Sequence, residues 1–144
     1  MRDIIQDSDP VLRERSEEVR SVDDLVKEVA GELLYYMEMP HCGGLSAVQL
    51  GVKLRMIAVD RNGEHLIIIN PVIWKVSKQL YRAFEGCLSI DYGMTAYTVE
   101  RHKRVSVIGR DLDWRVVHYK GAGLFGAILQ HEIDHLDGKL ICDM

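Results

Sequence analysis

Close to the C-terminal end of the chain, five consecutive residues could carry hydrolytic chemistry: His131-Glu132-Ile133-Asp134-His135. On a helix, residues four apart stand above one another on one face, so both imidazoles can bind a single cation. Glu132 lies beside the first histidine, where its carboxylate can reach a water on the metal rather than the metal itself. Divalent zinc or iron lowers the pKa of such a water, and Glu132 can accept the proton. The ordinary alternative is an exposed charged helix face, or two histidines satisfied by core partners. Leu124, Ile128, His131 and His135 share one helical stripe, which predicts histidines on the buried side. Two neutral imidazoles facing the interior need a shared partner, and a metal supplies one.

A hydrolytic metal site also needs a third protein ligand and an open position. The two downstream solutions of zinc peptidases are closed here. Position 141, where the longer motif H-E-x-x-H-x-x-G-x-x-H would need histidine, is Ile141, and the nine residues after His135 include no glutamate. The third ligand must therefore come from upstream. Cys87, in Glu85-Gly86-Cys87-Leu88-Ser89, is the best candidate: a thiolate binds zinc or ferrous iron strongly, and Gly86 allows close backbone approach. A lone cysteine in a β region is more often buried than ligating, and only the incomplete histidine pair reverses those odds. His41 and Cys42, in the glycine-bearing loop 41–51, are the competing ligands.

The elements that must position these residues are partly legible. A helix is expected from Val22 to Met39, with Ser21 and Asp24 as a capping box and apolar residues from Leu25 to Met37 at helical spacing. Strand signals follow: Met56–Val59 and Leu66–Ile69 flank Asn62-Gly63, a hairpin turn signal, and Val72–Val76, Val105–Ile108 and Arg115–Tyr119 are further segments. A second helix should run from Ala122 to Leu136, with Gly138 as its C-terminal cap. This order predicts an α+β fold: antiparallel or mixed β-sheets packed around a C-terminal helix carrying the HExxH motif, with an N-terminal amphipathic helix. His65, His102 and His118 read as ordinary surface or strand residues, and Trp74 and Trp114 as core or sheet-face residues.

Length and composition bound the answer. The 144 residues fit one domain, 1–144, large enough for a hydrophobic core. A net charge of −4 with dispersed Lys and Arg predicts neither sequence-specific nucleic-acid binding nor attraction to anionic lipid. No stretch approaches the roughly 18–20 apolar residues of a membrane span, and the acidic start Met1-Arg2-Asp3 is unlike a signal peptide, so a cytoplasmic protein is expected. The three cysteines, Cys42, Cys87 and Cys142, then read as free thiols or metal ligands.

Three motifs in order, Gly44-Leu45-Ser46-Ala47-Val48-Gln49, Glu85-Gly86-Cys87-Leu88-Ser89 and Gln130-His131-Glu132-Ile133-Asp134-His135, resemble those of the peptide deformylases. Weaker similarity in Asp9-Pro10-Val11-Leu12-Arg13, Asn70-Pro71-Val72-Ile73 and Leu136-Asp137-Gly138-Lys139-Leu140 spreads the resemblance over most of the chain. It implies a hydrolase that removes the N-formyl group from formylmethionine of nascent polypeptides, in a bacterial-type cytoplasm near the ribosomal exit tunnel. It implies that Cys87, His131 and His135 hold the metal, ferrous iron in the cell with zinc, nickel or cobalt able to replace it. Glu132 would be general base and then general acid, while Gln49 and the Leu88 N–H would stabilise the oxyanion. Gly44, Leu45, Glu85 and Gly86 would contact substrate, and Leu124, Ala127 and Ile128 would line the methionine pocket, although core packing is an equally good reading of each.

The sequence departs from that family pattern at several positions. Cys42 stands at a usual glycine, Ser46 at a usual alanine, and Glu100, just before Arg101, where proline is common. In Ile90-Asp91-Tyr92-Gly93-Met94, Asp91 falls at a usual proline and Met94 at a substrate-binding arginine. The chain also ends soon after the histidine helix, without the further helix of many relatives. Two alternatives to deformylation are therefore a related amidase with altered acyl or peptide preference, and a deformylase-like metal protein that acts by binding.

Overall fold

A computed structural model describes residues 1–144. The chain forms helix α1 (Asp24–Tyr36), strand β1 (Gly44–Ser46), a 3-10 turn (Ala47–Leu50), then strands β2 (Met56–Arg61), β3 (Glu64–Val76), β4 (Leu80–Glu85), β5 (Tyr97–His102), β6 (Arg104–Arg110) and β7 (Val116–Ala122), and helix α2 (Gly123–Leu136). One sheet has the order β1-β2-β3-β6-β7; β4 and β5 form a second, two-stranded sheet. Every strand pair is antiparallel. The expected α+β architecture, with the motif-bearing helix against sheet, is what the chain adopts.

The run Met56-Ile57-Ala58-Val59 is apolar at consecutive positions because its sheet is covered on both faces. Met56, Ala58, Ile67 and Ile69 pack with Val26, Val29 and Leu33 of α1. Ile57, Val59, Ile68, Val105 and Val107 point the other way, onto Leu129, Ile133 and Leu136 of α2. Each fully buried aliphatic side chain contributes about 1.5–3 kcal/mol, so α2 is fixed from beneath by its own sheet-facing stripe. Its approach is close: a Cβ on Gly121 of β7 would lie 2.9 Å from the Gly126 Cα of α2. Gln130 of α2 ties the second sheet to the helix, accepting from the His102 N–H at 2.9 Å and donating to the His102 carbonyl at 2.9 Å.

Several boundaries differ from the sequence expectation. Helix α1 starts at Asp24, capped by Asp23, whose side chain accepts from the Val26 N–H at 2.9 Å; Ser21 lies outside it. It closes at Tyr36, before Met39. Leu66–Ile69 and Val72–Val76 belong to one strand, β3, interrupted by an irregularity at Asn70, whose φ is +51°. The Asn70 amide bonds both the N–H and the carbonyl of Val19, at 2.9 and 2.8 Å, so this bend anchors the N-terminal segment. The glycine-bearing loop contributes an edge strand, β1, and a turn rather than irregular chain alone. Asn62-Gly63 does form the expected hairpin turn, with φ of +50° and +89°, and Gly138, at φ +75°, follows α2 as expected.

Candidate metal centre

Three segments far apart in sequence converge beside α2. Its inner face presents His131 and His135, both buried. Cys87, also buried, arrives on the loop leaving β4, held in an apolar cluster with Leu12, Val48, Ile90, Val99 and Leu140. The Cys87 Sγ lies 3.3 Å from His135 Nε2, which lies 3.2 Å from His131 Nε2. Together they form a group of ligand atoms mutually within 4.8 Å. A tetrahedral ion with metal–nitrogen bonds of about 2.0–2.1 Å and a metal–sulfur bond of about 2.3 Å would set N–N near 3.3 Å and S–N near 3.6 Å. The His135–His131 and Cys87–His135 separations are therefore already within a few tenths of an ångström of those a divalent metal would set, and all three ligand atoms lie within 4.8 Å of one another.

The polar groups around this point also fit a cation. Glu132 Oε1 is one of three buried side-chain polar atoms that lack a partner. Burial alone would push His131 down, but the Glu132 charge and hydrogen bonds with Cys87 and Glu85 outweigh it and raise its pKa. His135 is driven well below its ordinary value, by burial first and then by the charge on His131. The surroundings thus favour positive charge where the two imidazoles meet, yet admit only one imidazolium. A metal ion shared by two neutral rings meets that demand without the clash.

Outside the ligands, Glu85 at the end of β4 accepts from His131 Nδ1 at 2.8 Å. Arg101 of β5 donates to both oxygens of Glu85, at 2.9 and 2.7 Å, and to Asp134 at 2.6 Å. This arrangement fixes the ring so that Nε2 points inward, the usual carboxylate–histidine support of a metal ligand. Burial alone would raise the Glu85 carboxyl; the hydrogen bonds from Arg101 and His131 reverse that and hold it down at about 2.

Glu132 reaches the same point from the helix. Burial pushes it up to about 7, against the pull of His131. Its carboxylate fits because residue 44 is glycine: a Cβ there would lie 2.7 Å from Glu132 Oε2. Gln49, in the turn after β1, donates from Nε2 to Ser89 Oγ at 3.0 Å and to Cys87 Sγ at 3.6 Å. The Leu88 carbonyl accepts from Gln6 Nε2 at 2.8 Å, while the Leu88 N–H is spent on no protein acceptor.

The competing ligands are not brought in. His41 is exposed, and the Cys42 Sγ lies against the Met37 sulfur at 3.8 Å and the Gly44 carbonyl at 3.7 Å. Burial, helped by the Glu132 charge, pushes the Cys42 thiol up to about 11, which disfavours the thiolate a metal needs. Of the expected pocket residues, Ala127 is buried and Ile128 half-buried, opposite Gly43, where a Cβ would meet the Ile128 Cδ1 at 2.9 Å. Leu124 is 78% exposed, so the stripe is not buried throughout: the first turn of α2 stands in solvent and the helix enters the interior only further on. Trp74 is likewise 55% exposed on β3. Sequence reasoning gave no role to Arg101, Gln130 or Ser89. Arg101 left a trace, because it shares the inward phase of β5 with Val99.

Comparison with known proteins agrees with this geometry. The sequence matches the polypeptide deformylase family model over residues 1–144. It is 38% identical over 143 residues to a peptide deformylase of Dictyoglomus thermophilum, covering 99% of this chain and 92% of that one. Its fold superposes on the crystal structure of peptide deformylase from Thermotoga maritima with a TM-score of 0.93 at 32% identity, covering 99% and 96% of the two chains. A peptide deformylase from Synechococcus elongatus, solved in complex with actinonin, gives 0.91 at 33% identity, with 99% and 77% covered. No helix is long and apolar enough to cross a membrane. By sequence, by fold and by the grouping of cysteine with two histidines, this chain belongs to the polypeptide deformylase family.

Proposed function

We propose that residues 1–144 act as one catalytic domain that hydrolyses the formyl amide of N-formylmethionyl peptides, releasing formate, with Cys87, His131 and His135 holding one divalent metal. The observation that carries this reading is the convergence of those three side chains beside a buried Glu132 whose Oε1 has no partner. Cys/His/His suits ferrous iron, zinc, nickel or cobalt, and we assign iron in the cell. When bound, the ion supplies a Lewis acid beside the scissile amide. Glu132 takes the proton of the attacking water and returns it to the leaving amine as the carbon–nitrogen bond breaks. Burial raises the Glu132 carboxyl above its ordinary value, which favours its returning a proton as well as taking one. Gln49 Nε2 and the free Leu88 N–H receive the charge that develops on the formyl oxygen. Glu85 is a positioning residue for His131.

Gly44 and Leu45 on the unpaired edge of β1, with Glu85 and Gly86 at the end of β4, would hold the peptide backbone. Ala127, Ile128 and the open Leu124 would meet the methionine side chain. The substrates would be nascent chains in the cytoplasm, close to the ribosomal exit. A second reading, the same chemistry with altered peptide preference, is favoured by Asp91-Tyr92-Gly93, three successive residues at φ +50°, +51° and +83° that leave Met94 82% exposed. The third, binding without catalysis, has no use for a Glu132 or Gln49 aimed at the ligands. Iron-loaded protein, purified without oxygen and offered formyl-Met-Ala-Ser, should release formate. Fully metallated protein that releases none would refute the assignment, and faster release from other acyl peptides would favour the second reading.

A further inference from the structure

Gln49 can act on an oxyanion only if its amide presents nitrogen, not oxygen, to the metal centre. The two ends of a carboxamide differ little in shape, so the choice is made by hydrogen bonds. At the far end, Gln49 Oε1 accepts twice from one residue: the Ser46 N–H donates at 2.9 Å and the Ser46 hydroxyl at 3.0 Å. At the near end, Nε2 meets Ser89 Oγ at 3.0 Å and the Cys87 sulfur at 3.6 Å. Ser46, Gln49 and Ser89 are all buried, with Ser46 and Ser89 at 0% exposure, so solvent cannot stand in for either contact. A flipped amide would face its NH2 group to the Ser46 N–H and leave a buried donor unmade. The local frame follows from the sequence: Ser46-Ala47-Val48-Gln49 is the S-x-x-Q pattern in which the fourth side chain reaches back to the first backbone N–H.

We propose that Ser46 is a positioning residue for the deformylation step, its hydroxyl and N–H together locking Gln49 with Nε2 toward the formyl oxygen. This rests on the deformylase reading given above. The hydroxyl is the half that substitution can remove, and with it goes the cap that the Ser46 side chain gives the Gln49 backbone N–H. Losing one neutral hydrogen bond that steers a donor should cost about threefold to tenfold in kcat, with KM nearly unchanged. Losing the donor itself, in Gln49→Ala, should cost about 10²–10³-fold.

The test is a double-mutant cycle on zinc-loaded protein: Ser46→Ala, Gln49→Ala and both together, with kcat and KM for formyl-Met-Ala-Ser. The side-chain NH2 resonances of Gln49 are followed in 15N-labelled wild type and Ser46→Ala. The expected result is a kcat loss in Ser46→Ala that disappears in the Gln49→Ala background, with the Gln49 NH2 signals shifted or broadened. Should Ser46→Ala misfold, Ser46→Cys keeps the side chain but weakens the donor, and should show the same kcat loss. A wild-type kcat with unmoved Gln49 resonances, or a loss that simply adds to that of Gln49→Ala, overturns the role of Ser46. A Gln49→Ala variant as fast as wild type would instead overturn the oxyanion assignment beneath it.

Discussion

Glu132 follows His131, a proposed metal ligand, in sequence, yet its surroundings fit it to move protons. Its Oε1 has no partner, and the missing side chain at Gly44 gives Oε2 its space. Glu132→Ala should therefore retain its metal while losing about 10²–10⁴-fold in kcat, the range typical of a general base. Metal analysis and formate release on the same preparation check both halves; undiminished turnover would remove Glu132 from the mechanism. At this scale the sequence was highly legible. His131, Glu132 and His135 are related by helical periodicity alone, and Cys87 emerged because the downstream alternatives were closed by Ile141 and the short remainder of the chain. The partners of Arg101 were not legible, since Glu85 and Asp134 meet it only through tertiary structure.

Helix α2 places the histidines, and its height over the sheet is set by two glycines. In Gly121→Ala, the added methyl would meet Gly126 backbone and the Leu129 Cδ1, each at 2.9 Å. Backbone cannot yield as a side-chain tip can, so the helix must lift, at a cost of about 1–3 kcal/mol. That predicts a melting temperature lower by roughly 3–10 °C and weaker metal binding, since His131 and His135 move with the helix while Cys87 does not. An unchanged melting temperature would contradict the close crossing. Among the elements, those with a strong local period were legible: α1, α2 and the Asn62-Gly63 hairpin. The cap moved from Ser21 to Asp23 because both residue types cap well and only packing of Val26 and Val29 decides the phase. β3 was read as two segments, Leu66–Ile69 and Val72–Val76, whereas the structure carries Asn70-Pro71 as a bend within one strand.

Across the whole molecule, Arg101, Glu85 and Asp134 join the small sheet to α2, and this link responds to pH. The Glu85 carboxyl sits at about 2 in the folded chain against an ordinary 4.5. A depressed carboxyl contributes stability that is fully present above the ordinary value and is lost as pH falls through the folded one. The metal-free protein should thus lose stability progressively between about pH 4.5 and 2, and Glu85→Gln should flatten that part of the profile. Equal acid sensitivity in both proteins would show that Glu85 is not the group responsible. The sequence foresaw the layers but not this junction, because the pairing of β4 with β5 and the Gln130–His102 contacts bring together positions with no shared period. The proposed site requires sulfur from the loop after β4 and two nitrogens from α2 to meet at one ion. X-ray absorption at the zinc edge of the loaded protein measures this directly. One sulfur at about 2.3 Å with two imidazole nitrogens at about 2.0–2.1 Å is the predicted first shell, and a shell of nitrogen and oxygen without sulfur would contradict it.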